Sequence, residues 1–275
     1  MGVLSGIGGT VDGEACVRNW TVNTAADVQN AVCSASKQGT IVIAGNEDWS
    51  GSFSQYGVQP NRMPQDSFTF TGTIDGTNGV TGPAIVDNVE ITIDIEAGTI
   101  IAIVTNFSGN GAVTLGAAVA SDSTTPDPAT SIGCKVEVGT MVGSPVWTEI
   151  TDVRTVTITI TADNQSYVSS STAGKTKRTA GNISAAIAVT VYEDDFADLP
   201  AVNSDARMRV YVNATEFWLF EFVRFGEASD LTVDRETAAL VGATLNASWT
   251  GFAEVDGSMT EGQIVEPDTT KWWAV

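Results

Sequence analysis

Residues 17 to 56 recur, without a gap, as residues 153 to 192, an offset of 136. Thirteen of those 40 positions are identical, where ordinary composition would give roughly three. Val17 falls on Val153, Arg18 on Arg154, Asp27 on Asp163, Gln29 on Gln165 and Tyr56 on Tyr192, and Ala44-Gly45-Asn46 returns as Ala180-Gly181-Asn182. The match continues to Met63-Pro64 against Leu199-Pro200. A shift of six residues then sets Phe107-Ser108-Gly109 against Trp249-Thr250-Gly251 and Ile91 against Val233, and later Pro126-Asp127 meets Pro267-Asp268. A chain that repeats itself once must bury two similar sets of apolar positions. Two tandem domains are therefore expected, residues 1–140 with a glycine-rich N-terminal arm over 1–15, and residues 141–275, each large enough for one core.

Both copies carry the pattern of strands. Cys16 to Ala25 and Asp152 to Thr161 alternate and are rich in Val and Thr, with Val156, Ile158 and Ile160 opposing Thr155, Thr157 and Thr159. Val32 to Ser36 and Thr40 to Ile43 read as two further strands, and a hairpin around residues 25 to 30 would pair the segments carrying Cys16 and Cys33 with the two cysteines several residues out of register. The Ala-Gly-Asn segment reads as a tight turn using positive φ, delivering Ser50 to Tyr56. Ser67 to Thr73, Ala206 to Ala214, Thr99 to Phe107 and Val241 to Trp249 are strands, while 60–64 and 195–200 read as loop or short helix. Phe217 to Phe225 is apolar on both sides, which implies burial on both faces. Helical periodicity is scarce, so the expected fold is mainly β: two tandem antiparallel β-sandwiches or barrels, each with at most a short flanking helix. Asp122 to Pro128 and Gly139 to Pro145 read as loop and linker.

Asn88 to Glu96 alternates most cleanly, with Ile91, Ile93 and Ile95 opposite Glu90, Asp94 and Glu96, and the repeat places Asp234 and Glu236 on the same polar face. Such a row is either a solvated outer surface or the lining of something that must not hold an anion. The whole chain leans the same way, with a net charge of −20. Four cations stand against fourteen anions before residue 141 and nine against nineteen after it, a net −10 in each half. That surface repels nucleic acid and anionic membrane. The opening Met1 to Gly9 has no basic n-region or apolar run of leader length, and no stretch approaches 18 apolar residues, so synthesis in a cytosol and no membrane span are expected.

Chemistry is represented mostly by absences. The sequence holds no histidine, which removes Ser-His-Asp and Cys-His nucleophiles and the common transition-metal sites. No phosphate loop or paired dinucleotide glycines occur. Asp75-Gly76-Thr77-Asn78-Gly79 lacks the distal glutamate of a calcium loop and reads as a turn. Glu47 and Asp48 are adjacent on a strand, so they point apart and would not flank one glycosidic bond. Cys16, Cys33 and Cys134 read as reduced packing residues, and Lys175, Lys177 and Arg178 as a solvated or interface loop. No enzyme, cofactor or metal is expected.

Gly45-Asn46-Glu47-Asp48-Trp49-Ser50-Gly51-Ser52-Phe53, after a Val/Thr-rich hairpin and before strands ending in Phe107-Ser108-Gly109, resembles the tail tube (major tail) proteins of tailed bacteriophages. The second copy departs from the motif, with Ile183, Ser184, Ala185 and Ile187 at the positions of Glu47, Asp48, Trp49 and Gly51. The resemblance implies a β-sandwich with a flanking helix, rings that stack into the tail tube, and three duplicated chains in place of six subunits. It also implies a virion protein assembled in the host cytoplasm, with tape measure, tail terminator and baseplate proteins as partners and genome DNA passing without specific binding. On this reading Glu90, Asp94, Glu96, Asp234 and Glu236 face the lumen. Two other classes stay open: another tandem-β virion or surface protein such as a capsid decoration protein, and a carbohydrate-binding β-sandwich using Trp49 or Trp218.

Overall fold

A computed structural model describes residues 9–31, 41–117, 120, 128–192, 200–201, 203–226, 229–232, 242–255, 258–261, 263–265, 267 and 272–273. The first half comprises β1 (Thr10–Val11), β2 (Val17–Ala31), β3 (Ile41–Tyr56), β4 (Ser67–Thr73), β5 (Asn78–Asp94), β6 (Ala102–Gly109) and β7 (Thr114–Ala117). A hairpin of β8 (Val136–Gly139) and β9 (Trp147–Ile150) leads into β10 (Val153–Ala162), β11 (Gln165–Tyr167), β12 (Lys177–Thr179), β13 (Ile183–Tyr192) and β14 (Asp205–Tyr211). Then come β15 (Phe217–Phe225), β16 (Ser229–Thr232), β17 (Gly242–Trp249), β18 (Phe252–Val255), β19 (Ser258–Glu261), β20 (Ile264–Val265) and β21 (Trp272–Trp273). Among the described residues the helical structure is one 3-10 turn, Ser170–Thr172. The protein is mainly β.

Seventeen strands share one hydrogen-bonded sheet, and the described pairings are antiparallel apart from one isolated bridge, Glu47 to Lys175. In the first half the neighbours run β2–β3–β6–β5–β4–β1, and in the second β10–β13–β17–β15–β14–β8–β9. What joins them is β5. A bulge between Val86 and Asn88 bends this strand, so that one edge pairs first with β4, over Gly79 to Ile85, and then with β10, over Asn88 to Asp94.

The apolar faces meet in a core that both halves build. Ile91, Ile93, Ile101 and Ile103 pack in one cluster with Val156, Ile158, Ile187, Val189, Trp218 and Phe220. A smaller aromatic cluster of Trp49, Phe53, Phe70 and Phe107 lies in the first half, with the Phe70 and Phe107 rings stacked at 4.7 Å. The main core thus crosses the position expected to divide two domains, and β8, on the near side of that position, pairs with β14 beyond it.

Several local expectations change. The arm is docked from Thr10 onward: β1 pairs with β4, Val11 is buried, and Glu14 is fully enclosed on Arg62 and Asn61. Residues 1–8 lie outside the described residues. No hairpin turn occurs at 25–30, because β2 runs unbroken to Ala31 against β3; Cys33 and residues 32–40 lie outside the description. In the first copy Gly45-Asn46 forms a bulge opposite Asp27, not a turn. The glycine is required by close approach rather than positive φ, since a Cβ on Gly45 would sit 2.9 Å from the Asp27 Cβ, and one on Gly181 would collide with the Asp163 carbonyl. Residues 57–66 are loop, and residues 193–199 lie outside the description. The register also moves the distal match: Gly51 pairs with Phe107 and its counterpart Ile187 with Ala247, so Ala247, not Trp249, takes the place of Phe107.

Candidate functional site

The face of the sheet opposite the core is a continuous polar wall. It spans β2, β3, β6, β5, β10, β13 and β17, seven strands in hydrogen-bonded order. Period-2 alternation fixes its chemistry: where Val156, Ile158 and Ile160 turn into the core, Thr155, Thr157, Thr159 and Thr161 turn outward. Register carries this across the strands, with Thr157 beside Thr92 on one side and Ala188 on the other, and Ala188 beside Asn246. On the first-half side Asn106 lies beside Ser52, and Ser52 beside Thr21, whose hydroxyls are 3.0 Å apart. Small hydroxyl and amide side chains offer water-like hydrogen bonding and little fixed charge.

The carboxylates expected on this face divide into two kinds. Glu90 and Asp94 stand half-buried on β5, Glu90 between Thr159 and Val104 and Asp94 opposite Thr155. Asp94 also accepts the Ala97 backbone N–H at 2.9 Å, closing the turn after β5. Glu96 sits past the strand end and is compensated. It accepts the Tyr192 hydroxyl at 2.6 Å and the Arg154 guanidinium at 2.8 and 2.5 Å, and Arg154 lies 4.1 Å from the Tyr192 ring centroid. The Tyr192 hydrogen bond and Arg154 together hold the Glu96 carboxyl below its usual range, while the same bond raises the Tyr192 phenol. Asp234 and Glu236 lie outside the described residues. Among the described residues three arginines border the wall: Arg154 on Glu96, Arg224 on Asp205 at 2.7 and 2.9 Å, and Arg18, whose guanidinium lies 4.7 Å from the Tyr56 ring centroid.

The Gly45 to Gly51 motif forms a different structure, a clasp between the halves. Glu47 exchanges backbone hydrogen bonds with the loop after the 3-10 turn, its N–H donating to the Gly174 carbonyl at 2.8 Å and its carbonyl accepting from Thr176 at 3.0 Å. Its carboxylate pairs with Lys175. Asp48 accepts both terminal nitrogens of Arg178, at 2.9 and 2.7 Å, while Lys177 reaches the Asn110 carbonyl at 2.7 Å. Glu47 and Asp48 are thereby ion-paired structural groups, and the basic loop of the sequence is an intramolecular one. Nothing local in the sequence pairs residues 128 to 130 apart; the signal was only that opposite charges cluster at the two places.

Trp49 and Trp218 are both buried, their indole N–H groups donating to the carbonyls of Gly111 at 2.9 Å and Val58 at 3.2 Å. Neither offers a ring face for a sugar to stack on, so the carbohydrate-binding reading built on them is withdrawn. Asp75 accepts the N–H groups of Thr77 and Asn78 at 3.0 and 2.7 Å, the geometry of a turn. Burial pushes the Cys134 thiol to about 11, away from reactive thiolate. Among the described residues no group of three or more acidic, cysteine or histidine side chains could hold a metal, and no helix is long and apolar enough to cross a membrane. Compared with protein-family models the chain matches none, and no curated protein matches it.

Proposed function

We propose that this chain is a tandem-duplicated structural protein that closes into rings of three, and that stacked rings form a bacteriophage tail tube whose polar inner wall conducts DNA. The observation that carries this reading is the seven-strand wall: one sheet face, running through both halves, made mostly of Ser, Thr, Asn and Ala, with Val104 among them and Glu90 and Asp94 as its carboxylates. DNA sliding along a surface must not accumulate phosphate contacts, because each cation it meets adds affinity that then has to be broken. Hydroxyls with sparse carboxylates satisfy that requirement.

Support for the duplication comes from backbone detail that no selection for a particular side chain would repeat. Non-glycine residues at positive φ recur as Cys16 and Asp152 (51° and 54°) and as Gln65 and Asn203 (81° and 62°). The bond from Tyr56 N–H to the Cys16 carbonyl returns as Tyr192 to Asp152, and that from Gln65 to Val86 as Asn203 to Phe225. The Asp75 turn returns at Asn213, which accepts from Thr215 and Glu216. Two equivalent halves per chain give a ring of three chains six equivalent units. Tape measure, terminator and baseplate proteins would be its neighbours in a virion tail. An enzymatic role has no convergent group to support it among the described residues.

Assembled particles carrying Glu90→Lys and Asp94→Lys test the conduit. They should retain short fluorescent duplex DNA at low salt and release it as salt rises, while wild-type particles let it pass. Equal passage through both would remove the charge argument.

A further inference from the structure

The junction between the halves supplies a template for a contact the isolated chain leaves unmade. Within the chain, β10 adds to the outer edge of β5, with Thr157 opposite Thr92 and Thr159 opposite Glu90. The counterpart of β10 is β2, and among the described pairings β2 has β3 alone, leaving its other edge open. The counterpart of the β5 edge is β16, reached through the registers: Thr92 pairs with Ala102, Ala102 with Tyr56, Tyr192 with Gly242, and Gly242 with Thr232. Its described pairing is with β17 alone. Among the described residues each chain therefore carries one unpaired edge of each kind, and the two are complementary in the way that β5 and β10 already are.

An independent observation points to the same partner. The clasp beside the intramolecular junction sets Lys175, Lys177 and Arg178 against Glu47, Asp48 and Asn110. The counterparts of the three basic residues are Gly39, Ile41 and Val42, and those of Glu47 and Asp48 are Ile183 and Ser184. Both sides of the clasp have lost charge together, as they would if they faced each other in a second, uncharged version of it. Val42 and Val28, on the β2–β3 hairpin, are 64% and 57% exposed in the single chain, and a long exposed edge strand is ordinarily covered.

We propose that the open edge of β2 pairs antiparallel with β16 of a second copy of this chain, Thr21 opposite Thr232, and that the β2–β3 hairpin lies against Ile183 and Ser184 of that copy. The contact is head-to-tail and so can close a ring. It deepens the ring half of the proposed function and is independent of the conduit half.

The test is a Thr21→Cys/Thr232→Cys chain in a Cys16→Ser, Cys33→Ser, Cys134→Ala background, since Cα atoms opposite on paired strands lie within disulfide reach. Oxidation should give reducible covalent dimers and trimers, and each single-cysteine chain should stay monomeric. Dimers from Thr21→Cys alone would show β2 pairing with itself and overturn the proposal. Hydrogen exchange on the unaltered protein covers the possibility that the variant misfolds: alternate amides of β2 should slow at least tenfold as concentration rises. Assembly without that slowing, or a chain monomeric at every concentration, overturns the proposal too. Tubes that form without the cross-link would leave the conduit reading standing, and cross-linked rings that never stack would leave this contact standing without it.

Discussion

At the scale of the residue, the two copies solve one packing problem in opposite ways. In the first, Gly51 lies under the Phe107 ring; a Cβ there would meet the ring and the Thr21 carbonyl at 2.5 Å each. In the second, Ile187 faces Ala247. The large residue has changed strands, which is why the Trp-Ser-Gly motif fades in the second copy although its backbone persists. Gly51→Ile should cost about 3 kcal/mol by overpacking, and adding Phe107→Ala should recover about 1 kcal/mol, with the Thr21 carbonyl still crowded. Denaturant melts of the four chains in a double-mutant cycle measure this; zero coupling would contradict it. Glu14 offers a second test. Burial outweighs Arg62, Asn61 and Gln55 and raises its carboxyl above the ordinary 4.5. Because the folded value is the raised one, its contribution is present below 4.5 and is lost as pH climbs through the raised value. Thermal melts should show wild type losing stability relative to Glu14→Gln over that window, while Glu14→Ala, which strands Arg62, should cost about 3 kcal/mol at neutral pH.

At the scale of the element, strands whose alternation faces one core were legible. β4 and β15 begin and end where the residue pattern places them, and Met208, Val210 and Val212 turn inward together. What sequence could not supply was pairing between distant segments. The bulge in β5 is marked by the adjacent polar Asp87 and Asn88, across which the inward positions pass from Val80, Ala84 and Val86 to Val89, Ile91 and Ile93, but nothing local names β4 and β10 as the strands it serves, and Gly45 looked like a turn because close approach and positive φ both select glycine. The clasp is likewise a tertiary fact. Arg178→Ala should lower stability by about 1 to 2 kcal/mol, since the guanidinium is mostly buried and bidentate on Asp48. Asp48→Ala should cost a similar amount, and the two together little more than either. Additive losses in urea melts would mean that the pair does not act as a unit.

At the scale of the molecule, the carboxylate row read from Glu90, Asp94 and Glu96 becomes a feature of a larger object, a polar sheet face whose Thr, Ser and Asn positions outnumber its charges. The repeat made that object foreseeable only in part, because the sequence repeats strands whereas the wall depends on β5 and β10 joining them edge to edge. Closing three such walls into a ring accounts together for the open edges, the shared core and the acidic surface. Electron microscopy of the purified protein at rising concentration tests this most directly. Rings with a central hole, three chains each by mass and stacking into tubes, are the predicted result; a monomer at every concentration, or closed oligomers with no channel, would contradict it.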